Sequence, residues 1–427
     1  MMYNELLLLA LSISHTTGSL LSQQQPLGVG NTAAFDPTTD NAPTYRDDLL
    51  ALHKNLVDIS STTGAEHEVG AFLVDYFISR SWHYEVEKIV PRNNTPEGSD
   101  RLNVVAWPPS KSSKHHARGG MVPESEQKPD PKILVTSHID VVPPHIPYSI
   151  SDGKVTRDTI IAGRGSVDAK GSVAAQLTAV EGLLARGLVA SEDIMVAYVV
   201  GEERYGDGMQ AFSARAKSSS LAFKAAIFGE PTENKLACGH KGAMSCEVTA
   251  TGKAGHSGYP WLGKSANEVL IRGLTKVLET DLGSSEEYGN TTVNIGLMQG
   301  GVAPNVIPAH ALATLLFRVA IGPQETGHEI VRERMKEVLA AVDDEALSVD
   351  CPGGVGLVPC DCEVDGFDTI IANYGTDIPY LEGNHTRYLY GPGSILVAHG
   401  DNEALTVGDL EDAVEGFQKL VLHSLKV

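Results

Sequence analysis

Two rhythms of apolar and polar positions run along the chain. Residues 45–60 and 65–81 repeat their apolar side chains every three to four positions, the mark of helices packed on one face. Near-continuous apolar runs follow: "LNVVAW" from Leu102, "KILVTSHID" from Lys132, "IMVAYVVGEE" from Ile194, "AAIFGEPT" from Ala225 and "SILVAHG" from Ser394. Runs of this kind suit strands buried on both faces, as a parallel sheet requires. An amphipathic helix is expected at 172–188. Strands alternating with helices predict an α/β domain with a mainly parallel central sheet and helices on both faces.

Between about Met244 and Pro359 the rhythm changes. The order there is strand ("MSCEVTAT"), helix ("SANEVLIRGLTKVLET"), strand ("TTVNIGLM"), strand ("ALATLLFRVAI"), helix ("EIVRERMKEVLAAV") and a weak last strand. That β-α-β-β-α-β order predicts a ferredoxin-like α+β domain inserted into the larger one. The expected division is therefore 44–243 and 361–427 for the main domain and 244–360 for the insertion. Residues 19–43 are polar and rich in Pro, Gly and Thr, which predicts a leader without fixed structure. Residues 110–131 read as a turn-rich exposed loop, with His115 and His116 solvated rather than ligating.

Bulk properties narrow the field. The 427 residues are enough for two or three domains, and a net charge of −21 argues against nucleic acid or an anionic membrane as partner. An apolar run from Leu6 to Ile13, followed by small residues, has the form of a signal peptide over residues 1–18 and is too short to span a bilayer. It departs from that form in having Glu5 where a positive charge is usual. Three glycosylation sequons, at Asn93, Asn290 and Asn384, fit export to the outside of the cell. Cys238, Cys246, Cys351, Cys360 and Cys362 lack the spacing of a zinc ribbon, and one or two disulfides with one thiol left over are expected.

The chemistry gathers where the apolar runs stop. His138 and Asp140 close the second run, Glu202 and Glu203 the third, Glu230 the fourth and His399 the last, while Asp168 lies in the glycine-punctuated "AGRGSVDAKG". All are expected at the carboxyl end of one parallel sheet, where open α/β folds build their sites. Successive side chains of a strand point to opposite faces, so Glu202 and Glu203 should take different tasks. Two divalent ions would bring four positive charges against three carboxylates, Asp168, Glu203 and Glu230, leaving one charge that suits a bridging hydroxide, with His138 and His399 as neutral donors. Imidazole and carboxylate together favour zinc, and two ions about 3.5–4 Å apart would polarise a carbonyl and activate water.

Taken in order, "HIDVVP", "GRGSVDAKG", "GEE", "GEPT", "GHSGYP", "APNVIPA" and "GPGSILVAH" resemble the dinuclear zinc metallopeptidases and amidohydrolases that include aminoacylase, acetylornithine deacetylase, succinyl-diaminopimelate desuccinylase and carboxypeptidase G. The resemblance covers most of the chain from about Tyr45. It implies two zinc ions bridged by Asp168, with His138 and Glu230 completing one and Glu203 and His399 the other. Asp140 would orient His138, and Glu202 would be the general base. It further implies a lid and dimerisation role for the inserted domain. From there His256 would stabilise the oxyanion, Asn305 and Arg318 would hold the substrate carboxylate, and the Gly391 to Ser394 turn would approach the substrate. The implied substrate is a peptide or an N-acyl amino acid, and the leader and sequons favour a secreted carboxypeptidase over an N-acyl amino acid hydrolase. Three departures bear on substrate preference. Asp207 separates Gly206 from Gly208 where the family often has adjacent glycines, the loop at 110–131 is long, and the surroundings of Glu403 are altered.

Overall fold

The computed structural model describes residues 42–109 and 130–426. The expected signal peptide, nearly all of the polar leader, and His115 and His116 lie outside the described residues. A six-stranded sheet forms the centre, in the order His83–Ile89, Arg101–Trp107, Ile194–Val199, Ile133–His138, Ala225–Gly229, Thr386–Tyr390. Arg101–Trp107 alone runs antiparallel to both its neighbours and the other five strands share one direction, giving the expected α/β fold with a mixed sheet.

Alternation explains the unbroken apolar runs. Ile133, Val135, Ile194, Val196, Tyr198, Ala225 and Ile227 face one core, with helices Arg46–Asp58, His67–Ser79, Lys170–Ala185 and Val407–Lys426. Their neighbours Leu134, Met195, Ala197, Val199, Ala226 and Phe228 face a second core, with Met209 and Phe212 of helix Asp207–Ser218 and the strand Leu236–His240. Both faces of the strands are dry, so neither periodic face can be polar.

Several expectations shift. The helix foreseen as amphipathic at 172–188 runs Lys170–Ala185 and is buried on nearly all sides, because helices Arg46–Asp58 and Val407–Lys426 cover the flank that the sheet does not. "SILVAHG" is not a strand: Thr386–Tyr390, just before it, takes the edge of the sheet, and 394–400 forms turns. The C-terminal helix Val407–Lys426 and two small three-stranded sheets were not among the expected elements.

The inserted segment builds its own sheet, in the order Thr292–Gly300, His310–Val319, Gly242–Thr251, Leu347–Asp350, all antiparallel. That spatial order and the helices Ala266–Glu279 and Gly327–Asp343 give the ferredoxin-like pattern, with a core from Val248, Leu270, Leu274, Leu315, Phe317 and Met335. Ser265 caps the first helix by accepting from Glu268 N. Val358–Pro359 pairs with Leu236–His240 of the other half, so the chain has left the inserted sheet before residue 360. Disulfides join Cys238 to Cys362 and Cys246 to Cys351, and Cys360 is the thiol left over.

Candidate active site

Strand ends and the turns beyond them bring the expected acids and histidines together. His138 is the last residue of Ile133–His138, and Glu230 follows Ala225–Gly229 directly. Asp168 and His399 arrive on separate loops. His138 Nε2 lies 3.0 Å from Asp168 Oδ1 and 3.8 Å from Glu230 Oε1. His399 Nε2 lies 3.3 Å from Asp168 Oδ2 and 2.9 Å from Glu203 Oε2. Two potential ligand triads result, His138–Asp168–Glu230 and Asp168–Glu203–His399, and they share Asp168. Glu202 belongs to neither, although its charge is felt at His138 and Arg318.

The two glutamates divide their directions in a way the strand rule does not describe. The strand ends at Val199, and Glu202 and Glu203 sit in a turn closed on the Gly201 carbonyl, which accepts from Tyr205 N and Gly206 N at 2.8 Å each. Asp140 anchors that turn, accepting from Glu202 N at 3.1 Å, Glu203 N at 3.3 Å and Thr63 Oγ1 at 2.8 Å. The imidazole of His138 is oriented through the Asp140 main chain, with Nδ1 2.9 Å from the carbonyl oxygen and 3.6 Å from the carboxylate.

A second brace joins the other two loops. Glu403 Oε1 accepts from Gly165 N, Val167 N and Asp168 N at 2.9, 3.0 and 3.1 Å. Its Oε2 accepts from Arg164 at 2.6 Å, and Arg164 also donates to the carbonyls of His399 at 3.3 Å and Gly400 at 3.0 Å. One buried ion pair thus fixes Asp168 against His399, whose φ of 64° is unusual for a residue with a side chain. Sequence reasoning noted the acid at Glu403 but not its partner, because Arg164 lies 239 positions away.

Electrostatically the cluster is short of positive charge. Burial, then the charge of Asp168, pushes the Glu203 carboxyl up to about 7. Burial and Glu230 push Glu202 well up, and burial does the same at Glu230. Burial works against protonation of His138, but Glu230, Asp140 and Asp168 outweigh it and hold the imidazole well above its ordinary value. Hydrogen bonds to Asp168 and Glu203 push His399 up to about 10. Glu203 Oε1 is buried without a hydrogen-bond partner. Crowded carboxylates, neighbouring imidazoles and an orphaned oxygen are the donor chemistry of a cation site.

The remaining expected residues fall into two groups. Gly391 lies against the site: a Cβ there would meet Ser172 Oγ at 2.4 Å and the Glu230 carbonyl at 2.5 Å, so only glycine fits. Arg318 is half-buried, its side chain makes no ion pair or hydrogen bond among the described residues, and it feels Glu202. Ser394 instead donates to Glu233 at 2.8 Å. His256 and Asn305 sit exposed on a two-strand ribbon, Gly255–His256 with Val306–Ile307, where Ser257 N donates to the Asn305 carbonyl at 3.1 Å. The His256 ring accepts from Gly258 N at 3.0 Å and meets Tyr259 edge-on, and makes no hydrogen bond or ion pair with a triad residue among the described residues. Asn93, Asn290 and Asn384 are all exposed.

Comparison with known proteins follows the same lines. A model of the peptidase dimerisation domain matches residues 238–347. A peptidase M20 domain-containing protein of Sordaria macrospora is 51% identical, over 95% of this chain and 91% of its own. A probable carboxypeptidase of Aspergillus oryzae is 42% identical over 94% of each chain. Among solved structures, a tripeptidase from Staphylococcus aureus matches with a TM-score of 0.68 at 20% identity, over 90% of this chain and 99% of that one. An M20 family metallo-carboxypeptidase from Sulfolobus solfataricus matches with 0.64 at 15% identity, over 89% of this chain and 100% of that one. The structural likenesses show the fold, and the sequence likeness along nearly the full length shows the lineage: this chain belongs to the M20 peptidase family.

Proposed function

We propose that this chain is a secreted, zinc-dependent carboxypeptidase that hydrolyses the amide bond next to a free C-terminal carboxylate. The observation that carries the reading is the pair of triads sharing Asp168, with Glu202 beside them and outside both. In this reading His138, Asp168 and Glu230 would hold one zinc ion, and Glu203 and His399, with Asp168 again, would hold the other. The residues fit such ions, as the unpartnered Glu203 oxygen and the excess of carboxylates indicate. When bound, two such ions polarise the scissile carbonyl and make water acidic enough to attack near neutral pH.

The protein's own groups do the rest. Glu202 takes a proton from the attacking water and returns it to the leaving amine, a role suited to a carboxyl pushed up by burial and by Glu230. Arg318, unpaired and within the field of Glu202, grips the substrate carboxylate close to the base, which places the cut next to the chain end. Asn305 assists it. His256 stabilises the oxyanion from the partner subunit of a homodimer, a reading supported by its exposure on the inserted domain that matches the dimerisation model. The apolar N-terminal run and the exposed sequons Asn93, Asn290 and Asn384 support secretion and glycosylation.

The deciding experiment is a substrate panel on zinc-loaded protein, with the amino or the carboxyl end of each peptide blocked. Cleavage of N-blocked peptides, lost on blocking the carboxylate, is the expected result. Hydrolysis of N-acetyl amino acids without hydrolysis of dipeptides would instead assign an N-acyl amino acid hydrolase. A requirement for a free amine would assign an aminopeptidase. Recovery of glycosylated protein from the medium, with the first 18 or so residues removed, is the test of export.

A further inference from the structure

We propose that Arg101 is a positioning residue for the turn that carries Glu202 and Glu203, acting through Asp207; the inference rests on the metallopeptidase reading above. The turn begins at Gly201, whose φ is 81°, and a Cβ at that position would meet Asp207 Oδ1 at 2.1 Å and Arg101 Nη2 at 2.6 Å. The ion pair is therefore packed directly under the turn, and Gly201 leaves the room for it.

Arg101 is fully buried and forks between two carboxylates. Nε and Nη2 each donate to Glu66 at 3.0 Å, while Nη1 and Nη2 donate to Asp207 at 2.7 and 3.2 Å. Nη1 also reaches the Val90 carbonyl at 3.1 Å. Arg92 completes the group, donating to Asp207 Oδ2 at 3.0 and 2.5 Å and lying 4.0 Å from the ring centre of Tyr205, itself part of the turn. Two guanidinium groups face two carboxylates, so the cluster is neutral and needs no outside ion. Glu66 Oε1 also accepts from Gly64 N at 2.8 Å, and Thr63 donates to Asp140, the residue that holds Glu202 N and Glu203 N. The segment around Thr63 to Glu66 is thus linked to the turn by two routes, through Asp140 and through Arg101 with Asp207.

The Asp207 that departs from the family pattern is therefore half of a brace. A planar fork can hold two carboxylates at fixed separation, which an ammonium cannot. Groups that orient metal-ligating carboxylates affect metal affinity or activity by about 10- to 100-fold when removed.

The test uses Asp207→Asn and Arg101→Lys in the full chain, with calorimetric titration of zinc into metal-free protein, kcat and KM on an N-blocked dipeptide, and thermal melts. Expected is weakening of one of the two zinc-binding steps by about 10- to 100-fold, a fall in kcat and a KM within about twofold, with the other zinc step unchanged. Glu411→Gln serves as control. It removes the buried partner of Arg46 and Arg157 and should lower the melting temperature without moving either zinc step. Lower melting temperatures with both zinc steps intact in the Asp207 and Arg101 variants would overturn the inference. Should Arg101→Lys fail to fold, Asp207→Asn decides, since that side chain is partly exposed. Unsubstituted protein that takes up no zinc would overturn the metallopeptidase reading, and this inference with it.

Discussion

Glu202 and Glu203 are consecutive, acidic and held in one turn by one carboxylate, yet only Glu203 joins a ligand triad. Substituting each should therefore fail differently. Glu202→Gln should retain zinc uptake and lose about 10²–10⁴ in kcat, the range of a general base. Glu203→Gln should weaken zinc uptake itself, read by the same calorimetric titration. Buried histidines give a separate prediction, on stability. Burial holds His53 and His240 down from 6.5 to about 4 each. Below 6.5 the unfolded chain takes up protons that these folded residues refuse. Their contribution is therefore complete above 6.5, declines as the pH falls toward 4, and declines no further below it. Urea midpoints measured from pH 8 to 4 should show that decline, and His53→Gln should reduce its slope.

Among the elements, strand ends do less positioning than the loops beyond them. His138 and Glu230 ride directly on parallel strands, but Asp168 and His399 depend on the Arg164–Glu403 pair that clamps 163–169 to 399–403. Breaking a buried pair on one side leaves the other charge uncompensated, at about 3–5 kcal/mol. Glu403→Ala should lose stability of that order in denaturant titrations and also weaken zinc binding, because Asp168 N and its neighbours lose their acceptor. Normal zinc affinity in a folded Glu403→Ala protein would show that Asp168 is held by other means.

In the assembled protein, two features reach beyond single elements. Disulfides Cys238–Cys362 and Cys246–Cys351 close segments separated by 124 and 105 positions, and restraint of the unfolded chain should make each worth about 2–5 kcal/mol. Melts with and without reductant check this, and a melting temperature indifferent to reduction would count against it. The exposed ribbon with His256 and Asn305 gives the other. If His256 acts across a homodimer, mixed His256→Ala and Glu202→Ala proteins should regain activity that neither has alone. Absence of recovery despite subunit exchange would assign His256 to its own chain's site.

The α/β class and the ferredoxin-like insertion were legible from apolar periodicity, and His138, Glu230 and the Glu202–Glu203 pair from their places where apolar runs stop, whereas Asp168 stands in a glycine-punctuated turn and the run before His399 is not a strand. Those patterns are local, and dryness on both faces of a strand leaves its mark on every residue in it. The family resemblance, not spacing, assigned the two glutamates their different tasks. Pairings across long separations were not legible: Arg164 with Glu403, Arg101 with Asp207 and Glu66, and the choice of Thr386–Tyr390 over "SILVAHG" as the edge strand. An apolar run signals that a segment is buried without saying which neighbour buries it. A charged residue likewise does not announce its partner until the chain has closed around both. The sequence by itself determined which groups could bind a cation and polarise an amide; only the tertiary structure decided that two triads share Asp168 and which buried ion pairs hold them there.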